Sequence, residues 1–184
     1  MIGYQVRGFG AGVVMLCASL ASIRAQSALE YDVKAALLLN FARYIEWPDT
    51  AFESVRSPID VCVLSPSPFG EALERTLAGE TIANRSLSAR TIKGVSDSAG
   101  CHLLFIPSGA ESRASALIRQ GGPHTVTVGE SRRFADMGGA VNLVLEDGRV
   151  RFNVNLRPVE DRGVRISARM LQLAGRVDRV TPAK

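Results

Sequence analysis

Two histidines in 184 residues, His102 and His124, leave little imidazole for catalysis or metal binding. The nucleophile elbow Gly-x-Ser-x-Gly, the zinc pattern His-Glu-x-x-His, the Walker loop and the dinucleotide pattern Gly-x-Gly-x-x-Gly are all missing. Their absence removes the common hydrolase, metalloprotease and nucleotide-binding signatures. No ligand spacing pairs the histidines with carboxylates, so neither a metal nor a cofactor is expected. His102 lies inside an apolar run, which favours a core histidine with its hydrogen bonds made over a catalytic one. His124 follows Gly121-Gly122-Pro123 and reads as structural or exposed. Charge of one sign is also scarce. Lys plus Arg number 22 against 18 Asp plus Glu, a net +4 that is too mild to argue for nucleic acid. Long hydrophobic runs are lacking too: the most apolar stretch, Gly8 to Leu20, is shorter than the roughly 20 residues of a membrane span.

That stretch has another use. Arg7 before it and the small residues Ser19, Ala21 and Ala25 after it have the layout of a secretory signal over residues 1–25, which places the mature chain in the periplasm. Cys17 invites a lipid anchor, but Leu16 stands where lipid attachment wants a small side chain. Cleavage after Ala25 leaves 184 less 25, or 159, residues, enough for one domain over 26–180 with a real core. It removes Arg7 and Arg24 but no acid, so the net charge drops from +4 to +2. It also removes one of three cysteines. Cys62 and Cys101 remain, in an oxidising compartment where a bond between them is the default and two buried free thiols are the alternative.

Ser27 and Glu30 have capping-box spacing and open an apolar stretch, predicting a helix from about Ala28 to Glu46 that Pro48 ends. Ile59 to Leu64 reads as a core strand. Ser67 as N-cap and Pro68 at the first helical position predict a second helix, stopping near Gly79. Strand signals at Leu87 to Ile92 and Cys101 to Ile106 follow. Ser108 and Glu111 form another capping box, for a helix that ends at Gly121. His124 to Val128 reads as strand, and Asp147-Gly148 marks a hairpin between Ala140 to Leu145 and Arg149 to Leu156. A closing helix carries Ile166, Met170, Leu173, Ala174 and Val177 at 3.6-residue spacing. The order predicts a three-layer, single-domain α/β fold with a mixed sheet, a C-terminal β-hairpin and a closing helix.

Two loops offer ligand contacts. Ser65 to Ser67 and Ser108-Gly109 each join a strand to a helix N-terminus, where free N–H groups attract anions, against a reading of ordinary capping. Arg162, Arg165, Arg169, Gln172 and Arg176 recur at three- and four-residue intervals, predicting one basic face on the closing helix. That face is either solvated surface or a contact for an acidic partner or for lipid head groups. Tyr44 and Trp47 are three apart and can share a helix face as aromatic anchors, although core packing is the commoner use of tryptophan.

Five segments carry a family resemblance: Tyr31 to Pro48, Cys101 to Ile106, Phe134 to Gly139, Arg151 to Leu156 and Ile166 to Ala174. In this order they resemble the YfiR-like family. The resemblance implies a non-enzymatic periplasmic repressor that binds the sensor region of an inner-membrane diguanylate cyclase, limiting cyclic di-GMP and biofilm formation. It also implies that Cys62 and Cys101 pair, that redox state tunes the repressor, and that homodimers and small-ligand binding occur. Family members carry a second cysteine pair toward the C-terminus, and this chain has none. The alternative reading is a periplasmic small-molecule binding protein using the Ser67 and Ser108 loops. An enzyme of unknown type is a third.

Overall fold

The computed structural model describes residues 11–179, with side chains from residue 26 onward. The cleavage reading of residues 1–25 therefore lies outside the described side chains, and residues 1–10 and 180–184 lie outside the described residues. Among the described residues no helix is long and apolar enough to cross a membrane.

The elements follow as α1 (Ala11–Tyr44), β1 (Ile45–Glu46), β2 (Ile59–Leu64), α2 (Ala72–Leu77), β3 (Thr81–Ile82), β4 (Arg85–Ile92), β5 (Leu103–Ile106), α3 (Glu111–Gln120), β6 (Val126–Gly129), β7 (Val141–Glu146), β8 (Arg149–Asn155), α4 (Arg157–Glu160), β9 (Arg165–Ile166), α5 (Ala168–Leu173) and β10 (Arg176–Asp178). Eight strands form one sheet in the order β10-β8-β7-β6-β5-β2-β4-β3, while β1 pairs with β9 apart from it. Strands β4, β2, β5, β6 and β7 are parallel, and β8 returns antiparallel to β7. The sheet is mixed.

Alternation along the central strands sets the layers, since successive side chains point to opposite faces. Val61 and Val63 of β2 and Leu103 and Phe105 of β5 pack with Leu38, Phe41, Leu73 and Leu77 of α1 and α2. Cys62, Leu64, Leu104 and Ile106 pack with Ala114, Leu117 and Ile118 of α3. Helices therefore cover both faces, and the central strands read as unbroken apolar runs for that reason. At the hairpin, Asp147 and Gly148 take positive φ values of 50° and 72°, as a two-residue turn requires. Before β7, the Phe134 ring lies between Gly129 and Gly139: a Cβ at either would sit 2.3 Å or 2.2 Å from the ring, so only glycine fits.

Four helix expectations change. Ser27 caps nothing, because α1 runs through it from Ala11 on an alanine- and leucine-rich segment with high helix propensity. The same helix stops at Tyr44, short of Glu46, because Ile45 and Glu46 pair with Ile166 and Arg165. Helix α2 begins at Ala72 and not after Ser67. The Ser67 hydroxyl instead accepts the Phe69 N–H at 3.4 Å in a turn that delivers the Phe69 ring against Tyr31 and Phe105. The closing helix spans only Ala168–Leu173, with Ser167 as its N-cap. Ile166 belongs to β9 and Val177 to β10, because the outer edge of β8 captures the chain after it: Gly175 N–H donates to the Phe152 carbonyl at 2.9 Å and Leu156 N–H to the Asp178 carbonyl at 2.8 Å. Of the proposed apolar stripe Met170 is buried, whereas Leu173 and Val177 are exposed.

Candidate binding surfaces

Strand β2 leads through α2 to β4 on one side of the sheet, and its neighbour β5 leads through α3 to β6 on the other. The loops leaving β2 and β5, Ser65 to Ser67 and Pro107 to Gly109, thus flank the topological switch point, where open α/β sheets bind ligands. The protein itself uses several of their polar groups. Arg113 Nη2 donates to the Ser65 carbonyl at 2.8 Å, and the Ser67 hydroxyl serves Phe69. Ser108 N–H donates to Glu130 Oε1 at 2.9 Å and Gly109 N–H to Glu111 Oε1 at 3.2 Å. Neither half of the Ser108–Glu111 capping box forms, since Ser108 N–H goes to Glu130 and Glu111 takes the Gly109 N–H, and α3 starts from Ala110.

Beside this point lies a charge cluster that the sequence reading missed. Glu130, the residue after β6, accepts hydrogen bonds from Lys34 Nζ, from the Tyr31 hydroxyl at 3.0 Å and from Ser108 N–H. Lys34 is 5% exposed and also bridges Glu30 Oε1 at 2.5 Å. Burial opposes the Glu130 charge, but the Lys34 and Ser108 hydrogen bonds outweigh it and hold the carboxyl below its usual range. Burial first, and then the neighbouring Glu130 charge, push the Tyr31 hydroxyl well above the usual phenol range. The only sequence signal was a lysine in an apolar helix, three residues after a tyrosine and four after a glutamate.

His102 is buried with both ring nitrogens engaged. Nδ1 accepts the Asp60 N–H at 3.1 Å, which leaves Nε2, 3.2 Å from the Ala51 carbonyl, to donate. This is the neutral ring, and Phe52 stacks on it at 4.5 Å. Burial lowers its pKa below the ordinary histidine value. An unfolded chain takes up that proton near pH 6.5 while the folded one resists, so the stability held in the neutral ring is complete above about pH 6.5 and is lost as pH falls below it. The urea midpoint is expected to fall between about pH 7 and about pH 5, and His102→Gln to remove most of that fall. An equal fall in the variant would exclude His102 as its source. His124 joins three segments: its Nδ1 lies 2.9 Å from the Arg162 carbonyl, its Nε2 3.2 Å from Thr50 Oγ1, and its carbonyl accepts the Trp47 indole N–H at 3.1 Å.

Cys62 and Cys101 form a disulfide with 5.7 Å between Cα atoms, joining β2 to the residue that leads into β5. Arg90 of β4 donates to the Asp97 and Ala99 carbonyls at 2.9 and 2.8 Å and reaches Cys101 Sγ at 3.5 Å, clamping this segment over the bond.

The arginines do not share one helix face. Arg162 is partly buried, where it donates to the Pro158 and Ile118 carbonyls and ties α4 to the end of α3. Arg165 pairs with Glu46 at 2.8 Å across β9 and β1, and Arg169 lies over the Tyr44 ring at 5.7 Å. Arg176 sits on edge strand β10, paired with Asp178 at 2.6 Å. Tyr44, Arg165 and Arg169 are therefore brought together, with Trp47 just beyond them and Arg176 on a separate edge near the exposed Val177. Among the described residues no group of three or more His, Cys, Asp or Glu could hold a metal ion.

The sequence model of the family described as YfiR/HmsC-like matches residues 31–175. No curated protein matches the chain. Solved structures similar to it include an ABC domain in complex with L-Trp from Streptococcus pneumonia, at 11% identity and a TM-score of 0.46, covering 65% of this chain and 55% of that one. They also include a conserved domain protein from Vibrio cholerae, at 15% identity and a TM-score of 0.46, covering 68% and 55%. The chain spans about half the length of these structures.

Proposed function

Because the chain belongs to the YfiR/HmsC-like family, we propose that it is a non-enzymatic periplasmic regulator that binds the periplasmic sensor region of an inner-membrane diguanylate cyclase and represses it. The observation that carries this reading is the extent of the match, which runs from Tyr31 in α1 to Gly175 at the start of the edge strand and so takes in nearly all of the described fold. A repressor acts by binding two states of its partner with different affinity, which calls for a surface and not for a reactive centre. The C-terminal end offers two exposed patches for such contact, Arg169 beside Tyr44 on one and Arg176 with Val177 on the β10 edge on the other.

A pull-down of the exported, oxidised protein against the periplasmic domain of a neighbouring membrane-anchored cyclase tests the reading. Arg169→Glu with Arg176→Glu is expected to weaken capture by about tenfold or more while thermal unfolding stays near that of the wild type, since both side chains are exposed. Unchanged affinity in the double variant would remove both patches from the contact. Failure of the wild type to bind would remove the partner.

A further inference from the structure

Two adjoining cavities lie between the middle of α1 and the β7–β8 hairpin. The inner one, about 160 Å³, is bounded by Tyr31, Lys34, Ser108 and Glu130, and the outer one, about 420 Å³, by Leu29, Val33 and Arg149; both share Glu30, Leu145 and Val150. Leu29 is 66% exposed on the helix side and Leu145 58% exposed on the hairpin side. A single exposed leucine needs no explanation, but apolar side chains facing one another across a concave surface above convergent polar groups form the usual anatomy of a small-molecule site.

The charges at the base decide the ligand class. Lys34 stands between two carboxylates, Glu130 and Glu30, which leaves one negative charge in excess. Glu130 is buried and already accepts three donors. Glu30 is half-buried, lines both cavities, and is bonded to Lys34 through Oε1. Glu30 is thus the carboxylate within reach of an occupant. Arg149, beside the hairpin turn, and Gln26, whose amino group becomes the N-terminus when the chain is cut after Ala25, also line the outer cavity, but both are exposed, so water screens these cations.

We propose that this cleft binds a small amphipathic cation, its apolar body held between Leu29 and Val33 on one side and Leu145 and Val150 on the other, and its ammonium group on Glu30. The site goes beyond the regulator reading and is independent of it. Residue 30 and residue 44 are separated along α1 by about 20 Å of helix, so the cleft is remote from the Tyr44 and Arg169 surface.

Hexylammonium, hexanol and hexanoate share one apolar body and differ in head group, so titrating each into the exported, oxidised protein separates the contributions. Calorimetry is expected to show saturable binding of hexylammonium, about tenfold or more tighter than hexanoate, with a rise in Tm. Glu30→Gln is expected to erase the preference for the amine over hexanol while leaving the unliganded Tm close to that of the wild type, and Leu145→Ser to weaken the amine and the alcohol together. Hexanoate binding as well as the amine, an amine affinity unchanged by Glu30→Gln, or no saturable amine binding would each overturn the proposal.

Discussion

Replacing Cys62 and Cys101 together by serine is expected to lower the unfolding free energy by about 4 kcal/mol, given the 39-residue separation between them. Most of this effect acts through the unfolded chain, which regains the freedom of the loop carrying α2, β3 and β4. A further loss comes from the folded side, because both cysteines are buried among Leu64, Leu104 and Leu117, where two serine hydroxyls would lack apolar partners. Arg90 works in the other direction. Its hydrogen bonds to the Asp97 and Ala99 carbonyls persist without the disulfide and keep part of the segment in place. Urea unfolding of the oxidised wild type beside the variant measures the difference, and dithiothreitol should bring the wild type toward the variant. A difference under about 1 kcal/mol would mean that the bond contributes little to stability.

Lys34→Ala is expected to cost about 3–5 kcal/mol, because it leaves the Glu130 carboxylate buried without its counter-ion. Both side chains are only 6% exposed, so water cannot move in cheaply to replace the ammonium. Tyr31 and Ser108 N–H would still donate to Glu130, and they set the lower end of that range. Lys34→Met combined with Glu130→Gln should recover most of the loss, since a buried pair removed as a unit is often nearly neutral. The effect should also depend on acid. Glu130 titrates below its unfolded value near 4.5, so the stability it holds is present above that pH and is lost as pH falls through the depressed folded value. Denaturant melts of the wild type and both variants near neutral pH and in acid provide the check. A Lys34→Ala loss of the same size at all pH values would show that packing, and not charge, is what Lys34 contributes.

The layered α/β architecture was legible because the central strands are apolar on both faces and the hairpin turn is spelled by Asp147-Gly148. The cysteine arithmetic led to Cys62 and Cys101, and these are the two that bond. Helix limits were less legible. Ser27 has the side chain and spacing of a cap, yet a cap forms only where the preceding residue leaves the helix, and α1 does not leave it there. Ser67-Pro68 failed for another reason: burying the Phe69 ring between Tyr31 and Phe105 needs a turn where the local signal asks for a helix. The basic face rested on one unbroken helix through Arg162 to Arg176. The chain in fact passes through β9, α5 and β10, which scatters those side chains over separate surfaces.

Layer architecture, hairpin, cysteine pair and family could all be read before any coordinate was known, because each rests on local periodicity, on counting, or on ordered segments matched along the chain. The pairing of β1 with β9, the capture of β10 by β8, and the union of Lys34 with a carboxylate 96 residues away emerged only once the chain had folded. Helix propensity and hydrophobic spacing are properties of neighbours, whereas an unpaired strand edge or a buried ammonium takes whatever partner the completed fold brings to it, however distant in sequence.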